Sequence, residues 1–185
     1  MKKKKLLLPF AAVLVACLLV LAGCGGPSVE SLITDDLTEQ FDQIKNGGDD
    51  FLEGLEEASG DEFEQLGIDP KEYAKTYLDG FDYKIGDVTV DEDKGKATAE
   101  VSVTCKSMKT IVDDFATQYQ EKITAMDELP GEDELYKIAG EVMVDVTKAT
   151  KPKTTKVTFK YTENDDGEWS ADDSASDEMM NAMMS

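Results

Sequence analysis

The 185-residue chain contains no histidine and no arginine. The first absence removes the commonest general base and metal ligand, and the second removes the planar fork that grips carboxylates and phosphates in two places. Ser-His-Asp and Cys-His catalysis and histidine-based zinc sites therefore cannot be built from it. Cysteine is nearly as scarce, at Cys17, Cys24 and Cys105 alone. Positive charge is short too: 19 lysines stand against 40 acids, for a formal net charge of −21. Binding a phosphate backbone needs a basic stripe, so nucleic acid is excluded as a partner. A phosphate-cradling loop is also missing, because Asn46-Gly47-Gly48 lacks the spacing and the lysine of a P-loop and falls between two predicted helices.

What is present starts at the N-terminus. Lys2 to Lys5 precede a stretch from Leu6 to Leu21 with no charged side chain, which is the layout of an export signal. The run ends at Gly23, short of the about 20 apolar residues that span a bilayer. Leu21-Ala22-Gly23-Cys24 then resembles a bacterial lipobox, in which the thiol receives a diacylglycerol and the leader is cut away before it. The resemblance implies a signal peptide over residues 1–23, a lipidated Cys24 with a short linker over residues 24–28, and one domain over residues 29–185. It also implies a place on the extracytoplasmic face of the cell membrane, with the membrane as partner through Cys24. Two acyl chains anchor durably where one does not, at ~0.8 kcal/mol per buried CH₂.

Removal of the leader leaves 15 lysines against 40 acids, a net charge of −25, and Cys105 as the one free thiol. An intramolecular disulfide is then impossible, so the fold must rest on its core. A body this acidic is repelled by an anionic bilayer, and attachment must come from the lipid.

Val29, Leu32, Ile33, Leu37, Phe41 and Ile44 recur at helical spacing and end at Asn46-Gly47-Gly48. Asp50 can cap a short helix with Phe51, Leu52 and Leu55, and Asp69-Pro70 opens another with Tyr73, Ala74, Tyr77 and Leu78. The period then falls to two. Ala97, Ala99, Val101, Val103 and Cys105 share one strand face, and Phe81 to Asp91 is the hairpin partner through Glu92 to Gly95. Val88 and Val90 are out of phase with Phe81, Tyr83 and Ile85, which predicts a bulge near Gly86-Asp87. A helical pair follows over residues 107 to 149. A second hairpin comes next, with Val157, Phe159 and Tyr161, a turn at Asn164 to Gly167, and then Trp169 and Ala171. A short C-terminal helix holds Met179, Met180, Met183 and Met184.

Hairpins with one apolar face need helices to cover it, so the expected class is α+β: an antiparallel sheet of two hairpins packed on amphipathic helices, with the helical pair inserted between the hairpins. Asp87 to Val103, Lys151 to Tyr161, Asp166-Gly167-Glu168-Trp169 and the closing helix resemble small uncharacterised lipoproteins of Gram-positive bacteria. That resemblance implies a cone-shaped domain like those of nuclear transport factor two and cystatin, and no catalytic signature.

The chemistry left open is thin. Forty acids supply chance carboxylate pairs, so a hydrolase using carboxylates alone is one alternative. The turn at Asp91 to Gly95 does not fit the EF-hand pattern, and the Asp-Gly step explains the one at Asn164 to Glu168; both read as hairpin turns, with a weak surface ion site as the alternative at either. Cys105 reads as a small buried hydrophobe, with Lys106 turned to the opposite strand face. The four C-terminal methionines could hold Cu(I), which makes a metal-handling lipoprotein the other alternative, although no Cys or His lies near them in sequence. Tyr77, Phe81, Phe159, Tyr161 and Trp169 are candidates to line a cleft for a small apolar ligand, against the plainer reading of aromatic core. The expectation is a non-catalytic lipoprotein without cofactor, binding a small apolar ligand or an envelope protein.

Overall fold

Helix α1, Val29–Lys45, begins where the Ser28 hydroxyl accepts a hydrogen bond from the Ser31 N–H and ends in Asn46 and the left-handed Gly47. Its residues Val29, Ile33, Leu37, Phe41 and Ile44 fall on one stripe, and all are buried. The structure is a computed structural model that describes residues 19–20, 27–47, 52 and 61–185. The lipobox with Cys24, the rest of the leader and most of the helix expected after Asp50 lie outside the described residues; Leu52 is helical.

A short helix α2, Glu62–Gln65, precedes α3, Pro70–Leu78, whose N-cap Asp69 accepts from the Glu72 N–H at 2.9 Å with Pro70 in the first turn. Strands β2, Asp82–Asp91, and β3, Lys96–Cys105, form the first hairpin. A 3₁₀ turn at Glu92–Lys94 closes on Gly95, whose φ of +58° an L side chain rarely adopts. The register slips between Ile85 and Val88, where the phase change in the sequence places a bulge. Helices α4, Met108–Thr124, and α5, Glu132–Ala149, follow, then β4, Lys153–Glu163, β5, Glu168–Ala171, and α6, Ser174–Met184.

The α+β class is as expected, and the sheet is continuous across the helical pair. β3 and β4 are joined antiparallel over ten residue pairs, from Lys96 with Thr162 to Cys105 with Lys153. The pair α4–α5 is thus a detour between neighbouring strands. A two-residue strand β1, Leu19–Val20, lies on the far edge against β5, giving the order β1-β5-β4-β3-β2. The stretch in β1 belongs to the segment read as an export leader.

Alternation decides the rest. Ala97, Ala99, Val101, Val103 and Cys105 of β3, with Val157, Phe159 and Tyr161 of β4, point to one face and are buried. Helix α1 packs there over β2, and α6 over β4. Phe41 stacks on Tyr83 at 4.9 Å and meets the edge of Phe159 at 6.0 Å. Burying each such side chain contributes about 1.5–3 kcal/mol, the term that must hold a domain without cross-links. The pair α4–α5 packs on α2, α3 and α6. In α4 only Ile111 is fully buried, and Val112 and Leu129 of this lobe are exposed.

The closest backbone approach is at Gly140 of α5, where an added Cβ would lie 2.0 Å from the Leu66 carbonyl oxygen. The obstacle is backbone, which cannot swing aside. Gly140→Ala is therefore expected to destabilise the domain by about 1–3 kcal/mol, despite alanine's better helix propensity, read as a lower urea midpoint with an unchanged slope.

Candidate functional site

Three consecutive buried residues, Cys105, Lys106 and Ser107, link the end of β3 to four helices. The Cys105 thiol donates to the Ala182 carbonyl of α6 at 3.5 Å. The Lys106 ammonium donates to the Thr76 carbonyl of α3 at 2.7 Å and to the Thr147 carbonyl of α5 at 3.0 Å. The Ser107 hydroxyl accepts from the Thr110 N–H, capping α4.

The Lys106 placement corrects the expectation that it turns to the opposite strand face: the strand ends at Cys105, and Lys106 is 2 % exposed. Thr76 and Thr147 both lie in the last turn of their helices, where carbonyls have no helical partner and the dipole is negative. One ammonium satisfies both ends. Burial lowers its pKa, and Asp79 acts in the other direction. The Tyr77 hydroxyl donates to the Lys106 carbonyl at 3.2 Å, and burial raises its pKa.

Beside this junction lies a crevice lined by Ile44, Tyr77, Leu78, Phe81, Cys105, Met179 and Met183, with a volume of about 10 Å³. That is room for roughly one water, far below the space a small apolar ligand fills. Of the five aromatic residues expected in a cleft, the structure brings only Tyr77 and Phe81 to it. Phe159, Tyr161 and Trp169 are core residues, each 2 % exposed or less. The Tyr161 hydroxyl lies 3.4 Å from Asp36 Oδ2, and Gln40 donates to Asp36 Oδ1 at 2.8 Å, so two polar residues of α1 are buried beneath the sheet. The Trp169 indole N–H has no acceptor among the described residues.

Cys105 is as expected a buried thiol, and burial pushes its pKa up to about 11. A thiol held in its protonated form by burial is a poor nucleophile. The C-terminal methionines divide: Met179 and Met183 face the crevice, while Met184 is exposed. The acidic turns are held by their own contacts. Lys94 pairs with Asp91 at 2.5 Å, and Asn164 Oδ1 accepts from the N–H groups of Asp166 and Glu168. Among the described residues no three carboxylates or thiols are gathered to hold a metal ion. None of the described helices is long and apolar enough to cross a membrane.

The other face of the sheet carries no helix among the described residues. Outward on β4 lie Thr154, Lys156, Thr158, Lys160 and Thr162; on β3, Lys96, Thr98, Glu100, Ser102 and Thr104; and on β2, Asp82, Lys84, Thr89 and Asp91. Lys84 and Lys156 flank Ser102 in one cross-strand row, about 10 Å apart at two strand spacings. Asp82 is engaged by Lys45 and Asp91 by Lys94, while Lys84, Lys156 and Lys160 are exposed and make no ion pair with a described residue. Sequence alternation finds these positions but does not show that the face stays open.

No protein-family model matches the chain, and no curated protein matches it. Among solved structures, the crystal structure of ycdA from Bacillus subtilis, assigned as a lipoprotein, aligns at 16 % identity with a TM-score of 0.38. The alignment covers 80 % of this chain and 44 % of that one, so this chain spans less than half of that protein.

Replacing Lys106 by methionine keeps the length and apolar stem and removes the ammonium, leaving the Thr76 and Thr147 carbonyls buried without a donor. Lys106→Met is expected to cost about 2–4 kcal/mol, measured by chemical denaturation. An unchanged midpoint would mean that the two helix ends do not depend on the ammonium.

Proposed function

We propose that this chain is a non-catalytic, lipid-anchored module on the extracytoplasmic face of the cell membrane, and that it docks an envelope protein on its uncovered sheet face. The anchor reading is supported by the lysine run, the apolar run and Leu21-Ala22-Gly23-Cys24. Only Gly25 to Ser28 separate Cys24 from α1, so the domain rides close to the bilayer. The likeness to small Gram-positive lipoproteins with a cone-shaped domain belongs to this proposal, and α1 lying across an antiparallel sheet supports it.

The observation that carries the docking reading is the charge contrast between the two faces. Over the processed chain acids outnumber lysines 40 to 15. On the open face Lys84, Lys96, Lys156 and Lys160 stand with four acids that have no lysine partner among the described residues: Glu100, the bulge residue Asp87 and, toward β5, Glu168 and Asp172, so the even balance there contrasts with the acidic excess of the whole chain. Between the lysines stand threonine and serine hydroxyls. A partner presenting carboxylates in a hydroxyl-rich surface complements this face, whereas the rest of the body repels it. A bound small apolar ligand is disfavoured by a crevice of only about 10 Å³.

A carbodiimide, which joins lysine to carboxylate without a spacer, tests this on intact cells. Cross-links from Lys84, Lys156 or Lys160 to carboxylates of one protein are expected, and the triple change K84E/K156E/K160E is expected to abolish them while leaving the fold intact. Cross-links scattered over other lysines, or capture unchanged by the triple change, would contradict the docking face.

A further inference from the structure

Sequence separates Cys105 from Met179 and Met183 by more than seventy residues, and the fold brings all three into one crevice. Cys105 ends β3 with its thiol against the Ala182 carbonyl, in the same turn of α6 that carries Met179 and Met183. The two methionines stand four residues apart on the inward face of the helix, where i and i+4 side chains are neighbours. Ile44, Leu78 and Phe81 make the remaining walls apolar.

We propose that this crevice is a site for a single soft monovalent cation, Cu(I), held by the Cys105 sulfur and the thioethers of Met179 and Met183. Thiolate and thioether are the donors that select Cu(I) over harder ions, and three donors suit its low coordination number. The crevice, at about 10 Å³, admits a bare ion and excludes anything larger than a water. Charge balances as well. Cu⁺ displaces the thiol proton, forming an S–Cu bond and releasing H⁺ to solvent, and the resulting Cu(I)-thiolate is neutral. No uncompensated charge is buried, and no electron is transferred. The absence of histidine and of gathered carboxylates leaves harder cations without ligands here. This site is separate from the open sheet face and does not rest on the docking proposal.

The test uses the full chain in detergent with Cys17→Ser and Cys24→Ser, so that Cys105 is the one thiol. Ag(I), a redox-inert substitute, and Cu(I) under anaerobic conditions are titrated against a chromophoric Cu(I) chelator, and X-ray absorption reads the ligand set. One equivalent with a sulfur-only shell is expected. Met179→Leu and Met183→Leu conserve volume and the fold, and each is expected to weaken binding roughly tenfold or more. Cys105→Ser is expected to lose the stoichiometric site, and Met180→Leu and Met184→Leu to leave it unchanged. Failure to bind one equivalent, a shell of nitrogen or oxygen, or equal affinity in the Met179→Leu and Met183→Leu variants would overturn the proposal. The two methionine variants keep the test independent of any folding defect in Cys105→Ser.

Discussion

The ammonium of Lys106 sits where two helices end, and the sheet, α3 and α5 are aligned through it. Its hydrogen bonds at 2.7 and 3.0 Å go to carbonyls that the helices cannot satisfy themselves. With Cys105 touching α6 on one side and Ser107 capping α4 on the other, three consecutive residues hold α3, α4, α5 and α6 to the end of one strand. A domain that cannot form a disulfide has few other ways to fix helices to a sheet. Hydrophobic burial is non-directional and supplies the energy; the junction supplies direction.

That constraint explains the asymmetry of the molecule. The helices gather on one side, α1 and α6 directly on the sheet and the α4–α5 lobe outside them. The inward residues are small on β3 and include the aromatics Phe159 and Tyr161 on β4, and they share one core with Phe41, Met179 and Ala182. Their outward neighbours stay wet, and lysine and threonine are the residues that a solvated strand face can carry without pairing to other sheets. A strongly acidic body therefore presents one face of different chemistry.

Much of this was legible in sequence because it is local. Strict alternation from Ala97 to Cys105 marks a half-buried strand, the phase slip between Ile85 and Val88 marks the bulge, and Asp69-Pro70 marks the start of α3. What escaped depends on contacts distant along the chain. Lys106 reads as one more strand residue until the strand stops one position earlier. Asp36 reads as a polar spacer on α1, yet Tyr161 and Gln40 bury it. Cys105 and the terminal methionines look unrelated because only the packing of α6 on β3 and β4 brings their sulfurs to one crevice. Phe159, Tyr161 and Trp169 share a strand pattern with cleft aromatics, and it is the close seat of α1 and α6 that makes them core.

The role proposed for the open face depends on the chain being held at the membrane by lipid on Cys24, since the nearness of that face to the bilayer follows from the tether. Intact-mass measurement of the protein extracted from membranes tests this most directly. The expected species begins at Cys24 and carries diacylglycerol on its sulfur. A chain that still begins at Met1, or a Cys24 with a bare thiol, would contradict it.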